Sequence, residues 1–264
     1  MIPGGTDMFY KIISTEHLSD DIISMWIEAP DIAKNAGAGQ FISIYSDSKS
    51  ELLPRPISIC DTDGKNALRI VFRIVGKGTK EFAGKKAGDV LRIIGPLGNG
   101  YKDFTADYEN DTEKTALIIG GGIGIPPMLL LSKTLNCRKI IVLGYKDYMF
   151  MNEDFSEYGD VLIATENGMY GTKGNVIDAV NASGINADVI YSCGPIPMLK
   201  GVKAYAKTEN VPAYISLEEK MACGIGACLA CVCKTNEVDS HSMVKNKRIC
   251  KDGPVFDVKE VDFS

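Results

Sequence analysis

Thr115-Ala116-Leu117-Ile118-Ile119-Gly120-Gly121-Gly122-Ile123-Gly124-Ile125-Pro126-Pro127 decides how the chain folds. The first five residues are an uncharged, largely apolar run, the pattern of a strand covered on both faces. Four glycines then turn the chain. Pro126 and Pro127 suit the first turn of a helix, where a missing N–H leaves nothing unpaired. Strand, glycine turn and helix form the setting of a dinucleotide-phosphate loop. Ile125 stands where the third glycine of G-x-G-x-x-G would be, so a tight turn without ligand is the alternative.

The same alternation continues downstream. Apolar strands are expected at Lys139 to Gly144, Asp160 to Thr165 and Asp188 to Ser192, and helices at Pro126 to Leu135, Asn175 to Ala182 and Ile196 to Thr208. Alternating strands and helices build a parallel α/β sheet. Cys193-Gly194-Pro195 ends the last of these strands and opens a helix, the place where parallel sheets take ligands. The plainer reading of Cys193 is a small buried residue. Tyr145-Lys146-Asp147 follows the second strand with mixed signals. Asp147 suits a ribose hydroxyl, whereas Lys146 suits a phosphate.

Upstream, six short strands are expected, at Met8 to Ser14, Ile22 to Glu28, Gln40 to Ser46, Ile57 to Asp61, Ala67 to Val75 and Asp89 to Gly95. Turn residues such as Asp63-Gly64 separate them, so the segment reads as a small antiparallel barrel. The polar stretch Asp103 to Lys114 reads as a linker or long loop. Within the barrel, Arg55-Pro56-Ile57-Ser58 is by itself a proline-rich strand entry with a solvated arginine. Gly76-Lys77-Gly78-Thr79, opening a helix to Phe82, changes its meaning. Amides at a helix start and the Thr79 hydroxyl suit a pyrophosphate, and an arginine fork clamps one from the side. Ser58 suits the edge of a flavin ring.

The chain has eight cysteines and two histidines, His17 and His241. Cys223, Cys228 and Cys231 fall in the spacing C-x4-C-x2-C, and Cys250 follows nineteen positions later. That is the plant-type pattern of a [2Fe–2S] centre. Gly224 and Gly226 let the backbone curl closely enough to aim N–H groups at sulfur. Zinc ribbons instead carry two short cysteine pairs, and free thiols are the remaining alternative. Cys233 lies too close to Cys231 for the pattern and reads as a non-ligand. Cys60 and Cys137 sit on apolar segments and read as core, His17 as surface and His241 as a solvated loop residue. So few histidines leave little room for a hydrolytic Ser–His or Cys–His site. From about residue 215 some fifty residues lack clear periodicity. A segment that small buries little core alone, and a bound metal centre would supply the missing stability.

The composition fits these readings. The chain has 264 residues, 45% of them hydrophobic, and a net charge of −5, without a long basic run. Nucleic acid is therefore not an expected partner. The start Met1-Ile2-Pro3-Gly4-Gly5-Thr6 lacks the basic and apolar regions of a signal peptide. The longest apolar stretch, Ala116 to Leu131, is interrupted by four glycines and two prolines, so no membrane span is expected. The chain reads as soluble and cytoplasmic.

Together these motifs resemble the ferredoxin–NADP reductase superfamily. Arg55-Pro56-Ile57-Ser58 matches its flavin motif R-x-x-S, and Gly120 to Pro126 and Cys193-Gly194-Pro195 follow in order. Met221 to Cys231 and the closing Cys250 to Phe256 are similar, more narrowly, to the electron-transfer subunit family of dihydroorotate dehydrogenase B. The resemblance implies a β plus α/β chain of three parts. These are an FAD-binding β-barrel at 1–102, a Rossmann-like NAD-binding α/β domain at 103–214, and a small [2Fe–2S] domain at 215–264. It implies FAD at Arg55, Pro56, Ile57 and Ser58, at the strand Val71, Phe72 and Arg73, and at the phosphate turn Gly78 and Thr79. It implies NAD(H) phosphates near Gly120, Gly121, Gly122 and Gly124, nicotinamide near Cys193, Gly194 and Pro195, and a border at Gly168 and at Gly171 to Gly174. The metal ligands would be Cys223, Cys228, Cys231 and Cys250.

The resemblance further implies an FMN-containing catalytic partner subunit, two of each chain in a heterotetramer. Electrons would run from FMN through [2Fe–2S] and FAD to NAD⁺ in pyrimidine biosynthesis, with no acid–base catalyst for dihydroorotate on this chain. Similar small subunits serve NADH-dependent ferredoxin:NADP oxidoreductases and sulfide dehydrogenases. The complete cysteine set favours the dihydroorotate system over these. A zinc-bearing binding module is the alternative outside the enzymes. Two features depart from the family pattern: the extra thiol of Cys233 and the unassigned segment Met1 to Asp7.

Overall fold

A computed structural model describes residues 8–108, 110–238 and 243–264. His241 and the unassigned first seven residues lie outside the described residues. The barrel strands are β1 (Phe9–His17), β2 (Ile22–Glu28), β3 (Phe41–Tyr45), β4 (Arg55–Thr62), β5 (Ala67–Arg73) and β6 (Val90–Leu97). They close in the order β1-β2-β5-β4-β3-β6, with every neighbouring pair antiparallel. The pairs Met25/Ile70 and Ile27/Leu68 on β2 and β5 are fully buried. Two short helices, α1 (Pro30–Ala33) and α2 (Lys77–Ala83), ride on the barrel.

The second sheet contains β7 (Thr115–Gly121), β8 (Arg138–Tyr145), β9 (Asp160–Thr165), β10 (Thr172–Lys173), β11 (Val189–Cys193) and β12 (Ala213–Ser216). Its order is β10-β9-β8-β7-β11-β12, and these six strands run parallel. The apolar runs divide by alternation. Ala116 and Ile118 of β7 and Ile141 and Leu143 of β8 face the core shared with the barrel. Leu117, Ile119, Ile140 and Val142 face a second core with the following helices. Both faces are covered, which is why these strands read as continuous apolar segments.

The stretch read as a linker opens with a helical turn, α3 (Lys102–Thr105). It is tied down from both sides. The buried Tyr101 donates its hydroxyl to the Ser192 carbonyl at 3.0 Å, and Tyr191 donates to the Phe104 carbonyl at 2.8 Å. Tertiary hydrogen bonds thus order a stretch whose polar composition reads as loop. Helix α4 (Pro126–Thr134) is buried from Pro126 through Ser132. It is wedged between β4 and the sheet, so it needs no polar face. Lys133 Nζ lies 2.7 Å from Asp61 Oδ1 and links α4 to the barrel. Helices α5 (Val176–Ser183) and α6 (Ile196–Glu209) cover the other face.

The tail forms a hairpin, β13 (Val232–Lys234) with β14 (Asn246–Arg248), and then β15 (Val255–Asp257). β15 joins the large sheet antiparallel to β12, pairing Ile215 with Phe256 and Ser216 with Val255. Asn99, just past β6, receives the tail: its N–H donates to the Gly253 carbonyl at 2.6 Å and its side chain to the Lys251 carbonyl at 2.9 Å. The cysteine segment is therefore held by the sheet on one side and the barrel on the other. Cys60 and Cys137 are buried and His17 is exposed, as their sequence settings imply.

Candidate functional site

The larger cleft opens where two barrel strands part. β4 and β5 pair from Thr62/Leu68 up to Ile59/Ile70 and no further. Beyond that point Arg55 to Ser58 pair only with β3, and Val71 to Arg73 only with β2. Pro56 belongs here because a strand without a ladder partner on one side tolerates a missing N–H. The splay leaves a cleft of about 740 Å³ lined by Arg55, Pro56, Ile57, Ser58, Val71, Phe72, Arg73 and Thr79. That volume is ample for a cofactor. Apolar walls from Ile57, Val71 and Phe72 suit a flavin ring, and the Arg55 cation suits its phosphates, so these residues fit FAD.

Gly78 lies behind Arg55: a Cβ there would come 2.9 Å from Arg55 Nε. The Arg55 guanidinium bonds the Glu51 carboxylate and the Leu53 carbonyl. The Thr79 hydroxyl closes its own turn, accepting from the N–H of Val75 at 2.9 Å and of Gly76 at 3.1 Å.

Sequence reasoning missed the opposite wall. Ser216, Leu217 and the run Glu218 to Met221, which follow β12, face the flavin-motif residues across the cleft. Glu218 is exposed to solvent in the open cleft, yet the walls around it exclude enough water to raise its carboxyl pKa. Nothing in the local sequence marks this segment as a cleft wall.

A smaller cleft of about 250 Å³ lies at the carboxyl ends of the parallel strands. Gly121, Gly122 and Pro195 line it, as do Lys146, Asp147 and Gly174. Gly120, Gly124, Cys193 and Gly194 are not on its wall but pack behind it. A Cβ on Gly124 would fall 2.4 Å from the Cys193 carbonyl oxygen, and one on Gly194 2.4 Å from Met198 Cε. These glycines let the glycine turn after β7 and the end of β11 touch. Burial of Cys193 pushes its thiol pKa well up. Of the loop flagged at Gly168 and at Gly171 to Gly174, Gly174 reaches the cleft.

Residues missed here include Glu166, after β9, and Asn175, whose side chain caps α5 by accepting from the Ile177 N–H at 2.8 Å. The glycine-to-asparagine step at 174 and 175 was the available signal. Arg73 lines both clefts. Its Nε sits 3.0 Å from Asp21 Oδ2, and Asp21 also accepts the Tyr148 hydroxyl, the main cause of its lowered pKa.

A substitution at Gly124 tests the close approach. Gly124→Ala should destabilise the chain by about 1–3 kcal/mol, because backbone rather than a flexible side chain must move. Thermal unfolding measures it. An unchanged melting temperature would mean that the turn yields freely.

The four cysteines lie between Met221 and Pro254, two residues that line the flavin cleft. Cys231 and Cys250 are buried, and Cys223 and Cys228 half-buried. Gly224 (φ 69°) and Gly226 (φ 83°) curl the loop through the left-handed region. The Gly226 N–H thereby donates to Cys250 Sγ at 3.1 Å, and the Cys228 N–H to Cys223 Sγ at 3.3 Å. Burial raises the Cys223 pKa, but the N–H groups of Cys228, Ile225 and Ala227 outweigh it and bring the thiol down to about 6. Burial beside Cys231 pushes Cys250 up to about 12. N–H groups aimed at sulfur, together with four thiols in the plant-type spacing, form a donor set that fits an iron–sulfur centre. Cys233 is turned away, with its thiol directed to the Lys247 carbonyl at 3.6 Å.

Comparison with known proteins agrees with this geometry. Residues 218–262 match the family described as the iron–sulfur cluster binding domain of dihydroorotate dehydrogenase B. The electron-transfer subunit of dihydroorotate dehydrogenase B (NAD⁺) from Bacillus cereus (strain G9842) is 41% identical over 95% of this chain and 96% of its own length. The chain belongs to the dihydroorotate dehydrogenase B electron-transfer subunit family.

The Bacillus mycoides (strain KBAB4) subunit of the same name is 40% identical, with the same coverage. Among solved structures, an NADH-dependent reduced ferredoxin–NADP oxidoreductase chain superposes with a TM-score of 0.83. It is 31% identical over 98% of this chain and 91% of that one. A flavohemoglobin from Malassezia yamatoensis shares the fold, with a TM-score of 0.64 at 20% identity over 77% of this chain and 57% of that one. The family membership and three-part architecture expected from sequence are thus borne out. The chain is a redox subunit, and the zinc-module reading is not favoured.

Proposed function

We propose that this chain is the electron-transfer subunit of an NAD-dependent dihydroorotate dehydrogenase, acting in the cytoplasm beside an FMN-containing catalytic subunit, two of each. In this reading FAD occupies the splayed cleft at Arg55 to Ser58, Val71 to Arg73, Gly78 and Thr79. NAD(H) occupies the smaller cleft, with Gly120, Gly121, Gly122 and Gly124 shaping the phosphate turn and Cys193, Gly194 and Pro195 the nicotinamide end. Cys223, Cys228, Cys231 and Cys250 hold a [2Fe–2S] centre.

One observation carries this reading. Met221 lines the flavin cleft, and Cys223 lies two residues further along. A single short segment therefore serves as flavin wall and leads into the cysteine loop, so the two redox groups are neighbours. Flavin chemistry couples two-electron hydride exchange with nicotinamide to one-electron exchange with iron–sulfur. The residues of this chain bind and orient the groups. Arg73, ion-paired with Asp21, lines both clefts and adds a positive charge to each.

The 41% identity to the dihydroorotate dehydrogenase subunits, against 31% to the ferredoxin–NADP oxidoreductase chain, supports this partner over the alternative. Among the described residues no helix is long and apolar enough to cross a membrane.

The test is reconstitution. The chain alone should oxidise NADH with artificial dyes and ignore dihydroorotate. Adding the FMN subunit should give dihydroorotate-dependent NAD⁺ reduction. Dihydroorotate turnover by the isolated chain, or a preparation without iron and acid-labile sulfide, would refute it.

A further inference from the structure

Strand β3 borders both the flavin cleft, through Phe41, and the cysteine loop. Its side chains alternate. Ile42 and Ile44 join the barrel core, whereas Phe41 joins the second core, which contains Cys231 and Cys250. Ser43 shares the outward face with Phe41, two residues along the strand. It is 1% exposed, and its Oγ has no hydrogen-bond partner among the described residues.

An unpaired buried hydroxyl is unfavourable and calls for a physical reason. Its surroundings supply one. A Cβ placed on Gly224 would lie 2.8 Å from Ser43 Oγ, with Leu97 Cδ1 next at 3.8 Å. The hydroxyl therefore points at the turn between Cys223 and the rest of the cysteine loop. Gly224 has a φ of 69°, so a side chain here would be both strained and in the way of Ser43. The backbone N–H donors of the loop come from Gly226 and Cys228, which belong to the loop itself. Ser43 reaches the loop from the barrel side, where the flavin cleft lies.

We propose that the Ser43 hydroxyl donates a hydrogen bond into the sulfur shell of the [2Fe–2S] centre at the Cys223–Gly224 turn and thereby raises its reduction potential. This rests on the reading that the four cysteines hold that centre. The physical reason is electrostatic. Reduction adds negative charge that the sulfurs share, and a donor dipole fixed in a water-poor wall stabilises that charge. Ser43 is a positioning residue that touches neither NAD(H) nor the partner's substrate. It would match the potential of the centre to that of the nearby flavin.

The experiment compares the wild-type chain with Ser43→Ala, Ser43→Val and Ser43→Thr, each purified anaerobically at full length. The readouts are iron and sulfide content and the midpoint of the centre, titrated by paramagnetic resonance. Threonine keeps the hydroxyl, and valine has its shape without it. The expected result is a midpoint shifted to more negative values in the alanine and valine chains and restored by threonine, with the flavin midpoint unmoved. Loss of iron from the alanine and valine chains but not from the threonine chain would also support the role. Identical midpoints in all four chains would overturn the proposal. So would a threonine chain that shifts, or loses iron, as the others do, because packing alone would then explain Ser43. A wild-type chain without iron overturns the underlying reading instead, which separates the two failures.

Discussion

Cys228→Ala bleaches the iron–sulfur centre: the chain keeps its flavin absorption, loses acid-labile sulfide and shows no paramagnetic signal after reduction. Dihydroorotate-dependent NAD⁺ reduction by the reconstituted pair then falls to background, while NADH oxidation with dyes stays near that of the wild type. The split follows from the geometry. The motif wall of the flavin cleft is built from β4 and β5 of the barrel, and Cys228 is not among the residues lining that cleft. Cys228 is half-buried, and its own N–H supports Cys223 Sγ. Losing it removes one thiolate of four and leaves the others around an incomplete shell. Cys233→Ala is the matched control. Its thiol faces the Lys247 carbonyl and is pushed up to about 11 by burial, so iron content should not change. Equal iron in the Cys228→Ala chain and the wild type would remove Cys228 from the ligand set.

Arg55→Ala weakens FAD binding by about 10- to 100-fold, the loss expected for one charge-assisted hydrogen bond worth about 1.5–3 kcal/mol. The residue is placed by both its neighbours and its strand. β4 presents it at the splayed end of the ladder, and Gly78 leaves room for the guanidinium to lie against α2. Glu51 bonds the same guanidinium and competes with any phosphate for it. Glu51→Gln should therefore act in the opposite direction and tighten FAD binding. Fluorescence titration of the apoprotein with FAD measures both. Full FAD affinity in the alanine chain, or weakened binding in the glutamine chain, would show that Arg55 is not the phosphate clamp.

These sites differ in how legible they are from sequence. The cysteine loop is readable because its chemistry is local. Four thiolates and two left-handed glycines lie within one short stretch and the residue that returns to it. The β7 turn is readable for a similar reason: a buried strand must precede it and a helix must follow. The six barrel strands announce themselves through composition and turn residues. Their closure order, with β5 between β2 and β4, depends on pairings between strands far apart in the chain, which no window of sequence contains.

The local record was least informative at junctions. Glu218 to Met221 fall in a segment whose sequence shows little periodicity, and they line the flavin cleft. Tyr101 precedes and Phe104 lies within the stretch read as linker, and hydrogen bonds with the neighbouring sheet hold both. Ser43 is one unremarkable polar residue in an apolar strand. Its meaning comes from Gly224, a residue that only tertiary packing brings beside it.

By itself, then, the amino-acid order determined the kinds of element, the metal-binding spacing and the flavin and nucleotide motifs, because each follows from side-chain periodicity or backbone freedom over a few residues. Tertiary structure alone decided where β4 and β5 part, which segment lines the flavin cleft beside them, and that β3 borders both the cleft and the cysteine loop. Those features are contacts between residues distant along the chain, and they exist only once the barrel, the sheet and the tail have packed together.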